Sequence, residues 1–123
     1  MTACRTLSGL AVIALSGVFP SASEAAFYSG TELFKVCTTE RSRADYIEKT
    51  YECVAYITGA VDAFNTTRET NKRRSCIPAD VTIDRLKTVT VDYLRDNLDK
   101  RDAAASALVF AATRAAWPCG KRK

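Results

Sequence analysis

The chain has 123 residues, 18 Lys and Arg against 14 Asp and Glu, a net charge of +4, five cysteines and no histidine. This length bounds it to one domain. The missing histidine removes the commonest general base, the Ser-His and Cys-His nucleophile pairs and most catalytic zinc sites.

Residues 1–25 read as a signal peptide. Arg5 supplies a positive start, Leu7 to Phe19 is apolar apart from Ser8, Gly9, Ser16 and Gly17, and Pro20 breaks the run. Ser23-Glu24-Ala25 then offers small residues at the positions a signal peptidase reads. The apolar run is shorter than the ~20 residues of a membrane span. Cleavage after Ala25 or Ala26 and export are therefore expected, with no span left in the mature chain. Cys4 precedes the run and leaves with it. Residues 26–123, 98 of the 123, form the expected domain and keep the net charge of +4, since one Arg and one Glu are lost together.

Ser29-Gly30-Thr31-Glu32 has the form of a capping box, opening a short helix with Leu33, Val36 and Cys37 on one face. Thr38 to Arg43 reads as a turn, and a long helix is predicted from Ala44 to Phe64. Its section Val54 to Phe64 carries only Thr58 and Asp62 as polar residues, four apart on one face, so the remainder calls for cover. Ala55, Gly59 and Ala63 make a ridge of small residues on that helix. Ala103, Ala107, Ala111 and Ala115 make another on a last helix predicted over Lys100 to Trp117. Interdigitation of the two ridges is expected, so that Gly59→Leu is costlier than the off-ridge Ala105→Leu.

Between them, Asn65 to Ser75 reads as an exposed loop closed by Cys76-Ile77-Pro78. Thr82 is placed to cap a third helix, with Val81 and Leu86 as a hydrophobic staple and Ile83, Leu86, Val89 or Thr90, Tyr93 and Leu94 as its apolar stripe. Asn97 to Asp99 is the next break, with Asp99 as the expected cap of the last helix. No alternating run of β-branched residues signals a strand. The expected class is all-α, a single small bundle of about four helices.

Cys37, Cys53, Cys76 and Cys119 form an even set in a short exported chain, the signature of a disulfide framework. No CxxC pair supports a Cys-only zinc site. Four cysteines admit three connectivities. A hairpin turning near Asp45, the midpoint of Cys37 and Cys53, favours pairing those two and leaves Cys76 with Cys119. No catalytic set, metal site or cofactor is predicted. Asp62 reads as a solvated acid, and Tyr46, Tyr51 and Tyr56, spaced five apart, rotate around their helix instead of forming a stripe. Arg68, Glu69, Lys72, Arg73 and Arg74 give the central segment a basic character. They are the candidate partner-binding residues, since loops on a rigid scaffold carry binding. Nucleic acid is disfavoured: no aromatic residue interleaves with these cations. The tail Lys121-Arg122-Lys123 is basic but nonspecific.

The ordered set Gly30-x-x-Leu33 with Cys37, Cys53-x-x-Tyr56-Ile57-x-Gly59-x-x-Asp62, Cys76-x-Pro78 and Ala115-Ala116-Trp117-Pro118-Cys119 resembles the Rap/Tai family of bacterial immunity proteins. The resemblance spans nearly all of the mature chain. It implies a small helical periplasmic protein, not an enzyme, often a homodimer. Its partner would be a peptidoglycan amidase effector of type VI secretion, which it binds and inhibits. A periplasmic stress or acid-response chaperone of similar build is the alternative reading.

Overall fold

The computed structural model describes residues 27–120, so the readings of residues 1–25 and of the basic tail lie outside it. The described chain is all-α: α1 (Gly30–Cys37), α2 (Tyr46–Thr70), α3 (Ile83–Asp96) and α4 (Ala105–Ala116), with a 3₁₀ turn at Leu98–Lys100. Each of the four helices touches the other three.

α1 begins where its capping box places it. Ser29 Oγ accepts from the Glu32 amide at 3.2 Å, and the Glu32 carboxylate accepts from the Ser29 amide at 2.8 Å. The other two open amides of its first turn go to a segment far along the chain. Gly30 N–H donates to Ala103 O and Thr31 N–H to Arg101 O, both at 3.0 Å. In return Ala105 N–H, the first amide of α4, donates to Tyr28 O at 2.7 Å. This antiparallel bridge between Ser29 and Ala104 satisfies the donors at two helix starts at once. Gly30 permits the approach, because a Cβ there would lie 2.9 Å from Arg101 O and collide with Leu108 Cδ1.

Arg101 also closes the end of α3. Its Nε donates to Leu94 O at 2.6 Å, and its guanidinium lies 3.8 Å from the centre of the Phe34 ring on α1. α3 itself starts at Thr82, whose Oγ1 accepts from the Arg85 amide at 3.2 Å, as its sequence predicts. Leu33, Cys53, Ile57, Leu94, Ala105 and Val109 form the fully enclosed centre of the core. Val81, Trp117 and Ile77 pack on its margin.

Both favoured disulfides are present: Cys37–Cys53 joins α1 to α2, and Cys76–Cys119 joins the segment before α3 to the chain after α4, with Cα separations of 5.0 and 5.1 Å. Their loops of 16 and 43 residues correspond to about 3 and 4 kcal/mol of unfolded-state entropy on the chain-closure account.

Four expectations are corrected. α2 continues to Thr70, so residues 65–70 of the expected loop are helical. Thr67 and Thr70 donate their hydroxyls to carbonyls four residues back, at 2.8 and 2.9 Å, and neither Gly nor Pro interrupts before Pro78. Residues 65–70 are thus the last turns of the helix, and residues 71–75 leave it as expected. Second, Ala55, Gly59 and Ala63 are exposed, and nothing lies within 4 Å of a Cβ built at Gly59. On α4 the inward line is Ala105, Leu108, Val109, Ala112 and Thr113, whereas Ala103, Ala107 and Ala115 face water. The two ridges do not meet. Third, α4 starts at Ala105 and its cap is the Tyr28 carbonyl, not Asp99, which sits in the 3₁₀ turn. Fourth, Ile83 is half exposed, and the stripe of α3 runs through Leu86, Thr90, Val91 and Leu94.

These positions reverse the expected order of two substitutions. Gly59→Leu should raise stability by about 0.5–1 kcal/mol, since the site is an open helix interior and Leu is nearly as good a helix former as Ala. Ala105→Leu should lower it by about 1–3 kcal/mol through overpacking; denaturant unfolding of both variants checks the pair. Arg101→Ala should cost about 1.5–3 kcal/mol, the range for a hydrogen bond from a charged group. Arg101→Lys should recover little of it, because an ammonium does not reproduce the planar stack on Phe34. Equal stability of Arg101→Lys and the parent would remove Arg101 from this role.

Candidate functional site

The C-terminus of α2 forms one wall of a basic cleft. Arg73 N–H donates to Arg68 O and Lys72 N–H to Glu69 O, both at 2.8 Å, which is the paired pattern of a Schellman motif. Lys72 takes the left-handed position at φ 54°, the one non-glycine residue at positive φ among those described. Glycine is the usual occupant, because a Cβ there meets the backbone. The chain then folds back so that Arg74 O accepts from Arg68 Nε at 2.7 Å.

The opposite wall comes from the end of α4. Arg68, Lys72, Arg73, Arg74, Ser75 and Cys76 face Arg114, Pro118, Cys119 and Gly120 across one open depression. The Cys76–Cys119 disulfide bridges the two sides. Beside it the Phe64 and Phe110 rings meet at a tilt of 59° with centroids 4.1 Å apart. The Arg68 guanidinium lies 5.6 Å from the Phe64 centroid, and that of Arg114 lies 5.5 Å from Phe110. A row Arg68–Phe64–Phe110–Arg114 thus crosses the α2–α4 contact.

No acidic side chain lines this depression. The ion pairs among the described residues are Arg43–Asp45, Lys49–Glu52 and Arg95–Asp92, so the five cations of the cleft have no carboxylate partner there. Four of the five predicted partner-binding residues line the cleft: Arg68, Lys72, Arg73 and Arg74. Glu69 is exposed on α2 and does not. Arg114 escaped the sequence reading, because only the fold and the second disulfide bring it beside Arg68.

A second depression, at the α1–α2 turn, includes Glu32, Lys35, Glu40, Arg43, Asp45 and Lys49. Three acids and three bases balance in its lining, and Arg43 and Asp45 form an ion pair within it. The Arg43 side chain, 2.9 Å from Asp45 Oδ1, holds that carboxyl below its ordinary range by hydrogen bonding, and the same bond raises Arg43. Glu32 is lowered chiefly by the Ser29 amide. Internal neutralisation leaves this hollow less to offer a ligand than the cleft. Asp62 is exposed, as expected; Tyr56 stacks half-buried on Tyr28 at 5.3 Å, while Tyr51 faces water.

All four described cysteines are in disulfides, and no group of three or more His, Cys, Asp or Glu among the described residues is placed to hold a metal ion. No helix of the described residues is long and apolar enough to cross a membrane. The arrangement suits binding, with the cations of the cleft as hydrogen-bond donors to an anionic surface.

Residues 29–119 match a family model described as Rap1a immunity proteins. The chain belongs to the Rap1a immunity protein family. Membership supports an immunity function, with a protein effector as partner, and members are generally non-enzymatic. The match starts at the capping Ser29 and ends at Cys119, enclosing all four helices, both disulfides and every lining residue of the cleft but Gly120. No curated protein and no solved structure matches the chain.

Lys72 provides a test of the helix end that shapes the cleft. Lys72→Gly should raise stability by about 1 kcal/mol, the order of the left-handed penalty removed. A fall in the denaturation midpoint would show that α2 does not end on a left-handed residue.

Proposed function

We propose that the chain neutralises a peptidoglycan amidase delivered into the periplasm by type VI secretion, by occluding the enzyme's active-site cleft. In this reading residues 1–25 direct export and are removed, and residues 26–123 act outside the cytoplasm, where disulfides persist. The observation that carries the reading is the family match over residues 29–119, beginning and ending with the folded bundle. The amidase target, the Rap/Tai assignment and the expected homodimer come from the motif resemblance and belong to the same proposal.

Arg68, Lys72, Arg73 and Arg74 are the proposed effector contact, with Glu69 beside them. They sit on a cross-linked scaffold and lack carboxylate partners among the described residues; Arg68 is on the last turn of α2, and the segment carrying Lys72, Arg73 and Arg74 is folded back onto that turn by hydrogen bonds. The chaperone alternative draws less support. A mild-acid trigger needs groups that titrate just below neutrality, the chain has no histidine, and Glu32 and Asp45 are both shifted downward.

An amidase from the same gene neighbourhood, directed to the periplasm, should lyse cells, and co-expression of this chain should rescue them. Nanomolar binding, about −12 kcal/mol, is expected. Arg68→Glu, Lys72→Glu, Arg73→Glu and Arg74→Glu together should weaken rescue while leaving helix content and both disulfides intact. Full protection by that variant would place the contact elsewhere. Lysis unrelieved by the parent chain, with any amidase so encoded, would remove the target assignment.

A further inference from the structure

The cations of the cleft differ from an ordinary solvated run in how they are held. Arg68 spends its Nε on the Arg74 carbonyl and lies beside the Phe64 ring, and Arg114 lies beside the Phe110 ring. The two rings touch, and the disulfide fixes the walls that carry the two arginines. Guanidiniums backed by aromatic rings are restrained in direction and present a planar fork of donors suited to a carboxylate. Lys72, Arg73 and Arg74 surround the pair with positive charge, and no acid of the lining competes.

We infer that the Arg68–Phe64–Phe110–Arg114 row is a carboxylate-recognition site, and that the effector surface it takes is an acidic peptide segment spanning both walls of the cleft. The inference rests on the proposed immunity reading and names the chemistry of that partner. Arg114 becomes a specificity-determining residue alongside Arg68, and the Cys76–Cys119 bond keeps the two in register. The forks suit carboxylate and phosphate alike; a peptide segment is favoured over a phosphate polymer because the partner in the immunity reading is a protein effector.

The test uses the exported, disulfide-bonded protein and a fluorescein-labelled hexaglutamate peptide, with binding read by fluorescence anisotropy at low salt. The parent should bind the peptide. Arg68→Lys with Arg114→Lys keeps every charge but loses the forks, and its affinity should fall at least tenfold. Arg114→Lys alone, at an exposed position where folding is not at stake, should already weaken binding. Arg41→Lys, exposed and remote from the cleft lining, should leave it unchanged. Equal binding by the Arg114→Lys variant and the parent would overturn the inference, as would tighter binding of polyphosphate of matched charge or of anionic phospholipid vesicles. Rescue in cells separates the two levels. Protection retained by the double Lys variant overturns the cleft assignment and leaves the immunity reading in place. Failure of the parent to protect overturns the immunity reading, whatever the peptide result.

Discussion

The backbone bridge between residues 28–31 and 101–105 is the constraint on which the other contacts depend. Helix starts leave amides without partners, and burying them unpaired costs on the order of a hydrogen bond each. Here α1 and α4 solve that problem for each other, with Gly30 and Thr31 donating one way and Ala105 the other. The same turn places Arg101 where its side chain reaches the α3 carbonyl of Leu94 and the α1 ring of Phe34. Three helices are thereby indexed at one point. α4 then leaves that point in a fixed direction, and the direction puts Phe110 on Phe64 and Arg114 beside the end of α2.

What the sequence discloses and what it hides follow from the range of the interactions involved. Ser29 with Glu32, and Thr82 with Arg85, are caps formed within three residues, so their signature is local and the structure repeats it. The pairing of Cys37 with Cys53 follows from a hairpin whose turn is visible. The start of α4 is different: its cap is a carbonyl at Tyr28, and no reading of residues near Ala104 can find it. The small residues of α2 and α4 fail for another reason. Alanine and glycine at every fourth position are compatible with close packing and equally with an open face, because a small side chain carries little hydrophobic signal of direction. The buried lines on those helices are marked instead by Ile57, Val61, Leu108 and Val109. In the cleft, the cations of residues 68–74 were legible as a run, whereas Arg114, forty residues on, is added by the fold alone.

Most of the residues that carry the family resemblance act in packing. Gly30 admits the 101–108 segment, Leu33 and Ile57 fill the core, Tyr56 stacks on Tyr28, and the cysteines close the two bridges. Gly59 and Asp62 are exposed on α2, and nothing in the structure explains them. Of the residues lining the cleft, only Cys76, Pro118 and Cys119 belong to that set. A common scaffold with a separate contact surface is the arrangement expected when one fold must meet different partners.

Exposed charges alone give weak and salt-sensitive attraction, with typical pairs contributing about 0–1 kcal/mol. The tight neutralisation proposed above therefore has to draw on something more than the net charge of +4. The structure supplies restraint: α2 ends on the Schellman turn at Lys72, α4 starts on the bridge to Tyr28, and the segments that follow the two helices are joined by a disulfide. Each restraint is set when the protein folds, so the ordering cost of the arginine row is borne then and not on binding. In the proposed reading the half-exposed Cys76–Cys119 bond joins stability to recognition. Cys37–Cys53 lies inside the core and holds the fold, whereas Cys76–Cys119 sits in the lining of the cleft and holds its two walls at a fixed spacing.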